Sequence, residues 1–497
     1  MKKLDRAVFW ICIALILFLA MALKPLSNLD ELWNFNVARC ISNGLVPYRD
    51  ISMVSTPLLG FILAIPLKLC GQELYVSRIV TIIFFVIVFA IFHIILRKLD
   101  IKKEISYFSV MLLLFMVLDF VAINYNILAL IFALLIVLFE IQYIKNSRWK
   151  KPGIDFVIGL LGGFMVCAKQ SLGMIVCAVS ILSLLFYIDA KSDIKKTCIR
   201  ALTRFIGMII PILVFIIYLV ANNAFQGFLD YSILGIKTFS NQIPYSSLLH
   251  SKYSGIMILS VAFPIILAIA VVTNIIWKIK NKESNIFYVL TIYSIAMFSV
   301  VFPIADNEHF IVAMVLPIIL CIYSINAYIR KNVKIDFKYV LEFVNIFTMV
   351  FVFSITLWIE FSNIEPLGKI SKYQFQNHYK YISISNDFNA AINKIDDYIT
   401  SSPKKVYILD ASAAVYMIPI DRYNKDYDMF CLGNLGSGGE NAQIERIKNE
   451  DAIYMIMKDD ARLNWQNPSK VRAYIKENLE FVETIESYDV YRHKAIY

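Results

Sequence analysis

The chain has 497 residues, of which 59% are hydrophobic and 17% are charged. This composition excludes an ordinary soluble domain and indicates a polytopic membrane protein. The formal net charge of +10 would favour a nucleic-acid partner in a soluble protein, but the lysines and arginines concentrate in alternate loops, which is a sign of membrane topology. We therefore expect no nucleic-acid partner.

The first apolar segment, residues 8–23, follows Lys2, Lys3 and Arg6. Basic residues before a span hold that end in the cytoplasm, so the residues after the span are exported. No small-residue cleavage site follows, which favours a membrane anchor over a cleaved signal peptide. Residues 24–77 then form a first outer loop. Within it, segment 57–71 is apolar but short and charged, which predicts a helix along the outer interface.

Apolar runs of about 18 or more residues give about 11 spans that alternate with the basic loops. The fifth and sixth spans form a hairpin with Lys169 and Gln170 at its outer tip. The ninth and tenth spans enclose a short outer loop, 303–309, and the last span, 339–359, leads out. The predicted fold class is a membrane α-helical bundle over residues 1–362, with its N-terminus inside and its C-terminus outside.

Residues 363–497 have a soluble composition and predict a small extracytoplasmic α/β domain. Helical spacing covers 386–400, 441–449 and 471–478, strands are predicted at 405–409 and 452–457, and two short strands end the chain. The Gly-rich run 432–439 lacks the Lys-Ser/Thr of a phosphate-binding loop, so we predict a flexible loop there.

Two adjacent carboxylates, Asp30 and Glu31, begin the first outer loop beside Trp33 and other aromatic residues. A rigid apolar wall raises the basicity of a carboxylate, which suits a general base for an attacking hydroxyl. The neighbouring carboxylate could bind a divalent cation or orient the acceptor. Asp119, near the bilayer surface, is a second acidic candidate, whereas capping accounts for the asparagines of 124–126.

Polar groups also stand at the outer ends of later spans. Lys169 could be a cation that faces the bundle interior and holds a phosphate, or a lysine that snorkels to the interface. Arg78, at the start of the second span, admits the same two interpretations. Asp306 and His309 belong to a polar cluster denser than a turn needs, and His309 could donate to a phosphate or a sugar, or join a metal site.

This pattern resembles the C-type superfamily of integral membrane glycosyltransferases, which includes protein O-mannosyltransferases and the aminoarabinose transferases of lipid A. The resemblance rests on Asp30-Glu31, the segment 44–50, Thr56-Pro57-Leu58, Arg78, Lys169-Gln170, Asp306 and His309. It implies a sugar donor carried on a polyprenyl phosphate and inverting transfer, outside the cytoplasm, to a hydroxyl of a lipid, glycan or protein. The implied location is the bacterial plasma membrane.

The resemblance also implies roles for individual residues. Asp30 would be the catalytic base and Glu31 a helper or a ligand of Mg or Mn, with Asp119 as a further metal candidate. The donor phosphate would be bound by Lys169, Arg78, His309 and Gln170, and the rest of the substrate by Tyr48, Arg49, Asp50 and Asp306.

Two other functions share this kind of substrate. A flippase or transporter of polyprenyl-linked glycans seldom needs a large outer α/β domain, and it often shows paired half-repeats, which this chain lacks. A polysaccharide polymerase or ligase would use the same substrate without the Asp-Glu loop. The sequence names neither the sugar nor the acceptor.

Overall fold

A computed structural model of the chain describes residues 3–22, 24, 26, 29–146, 152–186, 194–238, 243–277, 282–332, 347, 350, 354, 377–382, 384–459 and 467–494. Most described residues before 333 are helical, and a small sheet lies in the C-terminal part. The predicted last span, 339–359, falls outside the described residues except at three helical positions.

The described residues of the first part are mainly helical. In chain order they are α1 (Lys3–Ala22), α2 (Leu29–Ser42), α3 (Leu58–Cys70), α4 (Leu74–Lys98), α5 (Lys103–Val117), α6 (Tyr125–Lys145), α7 (Pro152–Ala168), α8 (Gln170–Ser183), α9 (Ile194–Ala221), α10 (Phe225–Phe228), α11 (Ser254–Trp277), α12 (Lys282–Phe298) and α13 (Asn307–Asn332).

Within the described part of the chain, 5 helices are long and apolar enough to cross a membrane. They are Leu74–Lys98, Tyr125–Lys145, Ile194–Ala221, Ser254–Asn274 and Asn307–Asn326. Shorter apolar helices, among them Pro152–Ala168 and Gln170–Ser183, lie where other spans were predicted. A membrane protein is thus supported, while the number of spans and their direction stay predictions.

Helix α9 shows how one helix serves both lipid and protein. Large apolar side chains such as Leu213, Val214 and Ile217 are exposed along one side, where lipid tails would solvate them. The other side packs against α7 at very short range. A Cβ atom on Gly159 would lie 2.1 Å from the carbonyl oxygen of Arg204, so only glycine permits this approach of the two backbones.

A buried ionic network, which was not predicted, joins α6, α7 and α9. Arg204 contacts Glu140 at 2.5 Å and Asp155 at 2.8 Å, and Arg200 contacts the other oxygen of Asp155 at 2.8 Å. The hydroxyl of Tyr293 donates to Glu140 at 3.1 Å. Because each charge meets an opposite charge inside the bundle, this network serves to hold the helices together.

Segment 57–71 forms α3, which is too short to cross a bilayer upright at about 1.5 Å per residue. Its large apolar side chains Ile65 and Leu69 are exposed, while Leu63 and Leu67 are buried against the protein. The helix is confirmed, and its position along the interface remains a prediction.

The C-terminal domain has the predicted mixture of strands and helices. Its elements are α14 (Asn386–Ser401), β1 (Val406–Ile408), α15 (Ala413–Met417), α16 (Gly439–Asn449), β2 (Ile453–Met457), α17 (Ser469–Asn478), β3 (Glu480–Ile485) and β4 (Tyr488–Arg492). The sheet order is β1-β2-β4-β3, with β1 parallel to β2 and the other pairs antiparallel. Apolar clusters cover both faces, so alternate residues of β1 are buried on opposite sides.

The Gly-rich run 432–439 is mostly a loop, as predicted, and hydrogen bonds attach it to another segment, while its flexibility stays a prediction. The backbone nitrogen of Ser437 donates to Asp230 at 2.9 Å, and the Ser437 hydroxyl donates to the same carboxylate. Gly436, next to it, has a φ of 72°, a conformation that favours glycine. The glycines therefore shape a loop that is docked on the outer segment after α9.

Candidate active site

Helix α2 places the Asp30-Glu31 pair at the start of the first outer loop. Both acids lie in its first turn and Arg39 in its last turn, where they complement the helix dipole. Leu32, Phe35 and Ala38 form a buried apolar face at 2% exposure or less, so the helix is held by packing rather than by propensity.

The Asp30 carboxylate is partly buried and lies within electrostatic reach of Asp306 and Lys169. Burial and, to a smaller extent, the negative charge of Asp306 raise the pKa of Asp30, Lys169 partly offsets both, and the net value is about 6. Asn34 donates to the backbone oxygen of Asp30, but no described residue donates a hydrogen bond to its carboxylate. The carboxylate is therefore basic and available to a substrate proton.

Lys169 occupies the turn between α7 and α8, outside both helices. Its ammonium group donates to Oδ1 of Asn126 at 2.6 Å and lies 5.5 Å from the centre of the Tyr125 ring. Burial lowers the pKa of Lys169 to about 8, although Asp306 and Asp30 both raise it. The side chain thus turns inward to the start of α6, which favours a site role over snorkelling.

Asp306 and His309 form the third part of the cluster, at the start of α13. Asp306 Oδ1 accepts a hydrogen bond from the His309 backbone nitrogen at 2.8 Å and lies 2.8 Å from Nδ1 of the ring. Burial raises the pKa of Asp306, but the hydrogen bond and charge of His309 outweigh it, and the net shift is downward. Because the carboxylate accepts, Nδ1 carries the proton and Nε2 remains for another partner.

Beside this cluster, a crevice runs between α4, α5, α6 and α13. Its polar end holds Asn124 and Glu308, whose amide nitrogen and carboxylate oxygen lie 3.4 Å apart. Asn124 also caps α6 by accepting from the Asn126 backbone nitrogen at 2.7 Å, as its sequence position predicted. The remaining lining is apolar: Phe85, Val117, Phe120, Ala122, Ile127, Ile311 and Val312.

The structure corrects the roles predicted for Arg78 and Glu31. Arg78 holds Glu31 through two parallel contacts, Nε to Oε1 and Nη2 to Oε2, each 2.9 Å long. Its Nη1 donates to the backbone oxygens of Met21 and Lys24. Both side chains are buried at 3% exposure or less, so Arg78 faces a protein carboxylate instead of a donor phosphate.

Glu31, the first predicted metal ligand, does not fit a metal site. The Glu31 carboxylate is engaged with Arg78, and the side chain of Asp119 lies outside those that the structure describes. Among the described residues, no group of three or more His, Cys, Asp or Glu side chains could hold a metal ion. We therefore assign no step to a divalent cation.

Tyr48, Arg49 and Asp50 build a turn, and their role in substrate binding stays a prediction. The Tyr48 hydroxyl donates to the Ser55 backbone oxygen at 2.7 Å, and Asp50 accepts from the Val46 nitrogen at 2.8 Å. Arg49 pairs with Asp50 at 2.8 Å, near the surface. Arg49 also reaches outside this loop, because its Nη1 donates to the Asn222 backbone oxygen at 3.5 Å.

Gln170 links this loop to the hairpin tip. Its Nε2 donates to the Val54 backbone oxygen at 3.4 Å, and its Oε1 lies 3.5 Å from the Thr56 hydroxyl. Its neighbour in the chain, Lys169, contacts Asn126. The sequence analysis missed Asn126 because capping already explained that asparagine.

No family model and no curated protein matches the chain. Solved structures with a similar fold do exist. The apo structure of ArnT from Cupriavidus metallidurans has a TM-score of 0.60 at 12% identity, over 99% of this chain and 98% of that one. ArnT bound to undecaprenyl phosphate gives 0.57 at 10% identity, with the same coverage.

Two further glycosyltransferases have similar folds. Oligosaccharyltransferase AglB from Archaeoglobus fulgidus, in complex with an inhibitory peptide and a dolichol-phosphate, has a TM-score of 0.53 at 10% identity and covers 92% of this chain and 70% of that one. Arabinofuranosyltransferase AftD from Mycobacteria has a TM-score of 0.50 at 11% identity, over 99% of this chain and 40% of that one. The chain therefore has the fold of the C-type integral membrane glycosyltransferases.

Proposed function

We propose that this protein is an inverting glycosyltransferase that moves a sugar from a polyprenyl-phosphate donor to an acceptor hydroxyl outside the cytoplasm. The observation that carries the proposal is the meeting of Asp30, Lys169, Asp306 and His309 at the outer ends of α2, α8 and α13. Residues far apart in sequence supply a basic carboxylate, a partly buried ammonium and an imidazole within one cluster. Perturbed titratable groups of opposite sign are typical of active sites.

Asp30 is the general base of the proposed reaction. The acceptor oxygen attacks the anomeric carbon from the side opposite the phosphate, and the carbon–oxygen bond to the phosphate breaks. The electron pair of that bond leaves with the polyprenyl phosphate, while the acceptor proton passes to Asp30. Because burial raises the basicity of Asp30, it can accept the proton near neutral pH.

Lys169 is the main cation for the leaving phosphate. Its ammonium donates one hydrogen bond to Asn126 and can direct its other protons to a phosphate oxygen. In a site with little water, this charge stabilises the negative charge that develops on the leaving group. His309 can add a hydrogen bond from Nε2 when that nitrogen is protonated, with Asp306 holding the ring in place.

The solved structures support the substrate class in outline. ArnT binds undecaprenyl phosphate and AglB binds a dolichol-phosphate, so two proteins of this fold hold a polyprenyl chain. In this chain, the crevice beside the cluster has a polar end at Asn124 and Glu308 and an otherwise apolar lining. A location in the bacterial plasma membrane, with the site on the outer side, belongs to the proposal.

The test is release of polyprenyl phosphate from labelled polyprenyl-phosphate sugars by purified protein in detergent. Wild type should release it in the presence of a suitable acceptor, and Asp30→Asn should lose at least about 100-fold in rate, the usual range for a lost general base. Asp387→Asn is a matched control, because Asp387 is an exposed acid on α14.

An Asp30→Asn protein that keeps wild-type activity would overturn the role of Asp30. Failure of every donor, together with movement of a lipid-linked glycan across vesicles by wild type, would replace the proposal with a transporter.

A further inference from the structure

Helix α2 is held from two sides, and one of them is the membrane bundle. Glu31 is gripped by Arg78 of α4 through its two 2.9 Å contacts. Asn34, one turn later, donates to the Ile123 backbone oxygen at 3.3 Å, just before α6. These contacts fix the N-terminal half of α2 on the bundle, where Asp30 is within electrostatic reach of Lys169.

The C-terminal domain holds the opposite side of the same helix. The indole nitrogen of Trp33 donates to the Ala411 backbone oxygen at 2.7 Å. Arg39 donates to Asp421 at 2.9 Å and to the Arg422 backbone oxygen at 2.5 Å, although Arg39 is only 2% exposed. Loss of these partners would leave the buried guanidinium charge unpaired and would destabilise the fold. The contacts are therefore strongly constrained.

Apolar packing makes the contact continuous. Leu32 and Phe35 of α2 belong to one buried cluster with Tyr379, Ala414 and Ile418 of the C-terminal domain. The same cluster contains residues of α3, α4 and α6. The C-terminal domain thus contributes to the hydrophobic core around α2.

Asp30 depends on this arrangement more than its neighbours do. No described residue donates a hydrogen bond to its carboxylate, so its position follows closely the position of the α2 backbone. Trp33 lies three residues further on, about one helical turn away and close to the same side. A small rotation of α2 would move the carboxylate relative to Lys169 while leaving Lys169 in place.

We propose that the C-terminal domain positions the catalytic carboxylate, with Trp33 and Arg39 as positioning residues that fix the rotation of α2 on the bundle. This inference rests on the proposed function of Asp30. The domain would act on the rate of transfer and not on the binding of the donor phosphate, because its contacts reach α2 and not Lys169. A displacement of about 1 Å is enough to slow a reaction by up to about 100-fold.

The test compares Trp33→Phe and Arg39→Gln with wild type. Trp33→Phe keeps an aromatic ring and removes the indole donor to Ala411, and Arg39→Gln removes the ion pair with Asp421. We expect kcat to fall about 10-fold or more in each, with KM for the donor and binding of polyprenyl phosphate within about 2-fold of wild type. The acidic limb of the pH profile should also move, since Asp30 would leave its buried surroundings.

Lys404→Ala is the matched control within the same domain. It breaks an ion pair with Asp451 in which both side chains are at least 42% exposed, far from α2. This variant should keep wild-type kcat. Asp421→Asn is a milder second variant, because it removes the charge that faces Arg39 and leaves the shape nearly unchanged.

Two results would overturn the inference. Unchanged kcat in Trp33→Phe and Arg39→Gln would show that the domain does not position Asp30. A loss of activity that follows the unfolded fraction, with the same pH profile as wild type, would show a purely structural contact. If Asp30→Asn retains full transfer, the proposed function fails instead, so the two failures can be told apart.

Discussion

The cluster predicts a bell-shaped dependence of kcat/KM on pH, with limbs near 6 and 8. Transfer needs Asp30 ionised and Lys169 protonated, and burial moves their pKa values to about 6 and about 8. One pH unit outside either limb, only about a tenth of that group is in the active form. The rate should therefore fall about 10-fold at pH 5 and about 10-fold at pH 9.

The donor does not produce these limbs, because a sugar phosphodiester keeps one negative charge over this pH range. Lys169→Arg provides the sharpest variant, since a guanidinium stays protonated up to pH 12 or so. It should remove the alkaline limb while leaving the acidic limb in place, although the larger head group will lower the maximum. Asp30→Asn should remove activity at every pH.

The assay is initial release of labelled polyprenyl phosphate at donor concentrations below KM, which reports the free protein. Circular dichroism or light scattering at each pH should confirm that the protein stays folded. An acidic limb near pH 4 would refute the reasoning, because it would mean that Asp30 sits in an ordinary solvated environment. An alkaline limb that persists unchanged in Lys169→Arg would refute the assignment of Lys169.

Three further predictions concern stability. Asp428 is 4% exposed, and burial raises its pKa to about 6, so its charged form costs the fold up to about 3 kcal/mol at pH 8. Its favourable contribution is present below pH 4 and lost as the pH rises through 6, so Asp428→Asn should raise Tm at pH 8 and not at pH 4. Arg204→Met should lower the free energy of unfolding by about 3–5 kcal/mol, because it leaves Glu140 buried without its cation. Gly159→Ala should cost more than about 1 kcal/mol, since the backbones of α7 and α9 must separate. Thermal and denaturant unfolding in detergent measures all three.

A specific result would contradict each of these stability predictions. Equal Tm changes for Asp428→Asn at pH 4 and pH 8 would show that the negative charge of Asp428 does not destabilise the fold. The control for Arg204→Met is Lys145→Met, which breaks the more exposed ion pair with Asp100. Similar decreases in the free energy of unfolding would show that the buried network does not stabilise the bundle. A Gly159→Ala protein with wild-type stability would mean that the helices shift apart without cost.

The sequence predicted the parts of the site that topology brings together. Charge asymmetry predicts that the first outer loop, the hairpin tip and the loop 303–309 lie on one side of the membrane. In the structure, Asp30, Lys169 and Asp306 are within electrostatic reach of one another. The α/β character of the C-terminal domain was equally readable, because strand and helix periods differ.

The pairing of charges could not be read from the sequence. Arg78 meets Glu31 across 47 residues, and Arg39 meets Asp421 across 382 residues. A lone basic residue at a span end looks the same whether its partner is a phosphate or a protein carboxylate. Arg200 and Arg204 illustrate the same limit inside the bundle, since their sequence positions resemble those of ordinary basic flanks.

The structure explains why two acidic residues, Asp30 and Glu31, are adjacent in the chain. Successive residues on an α-helix point about 100° apart, so two adjacent acids cannot serve the same partner. Glu31 turns to the buried Arg78 and anchors α2 to the bundle, while Asp30 turns to Lys169 and Asp306. The anchor satisfies one charge completely, and this lets the other remain without a hydrogen-bond donor among the described residues. We infer that the adjacency matters because it places an available base one residue from the contact that holds its helix still.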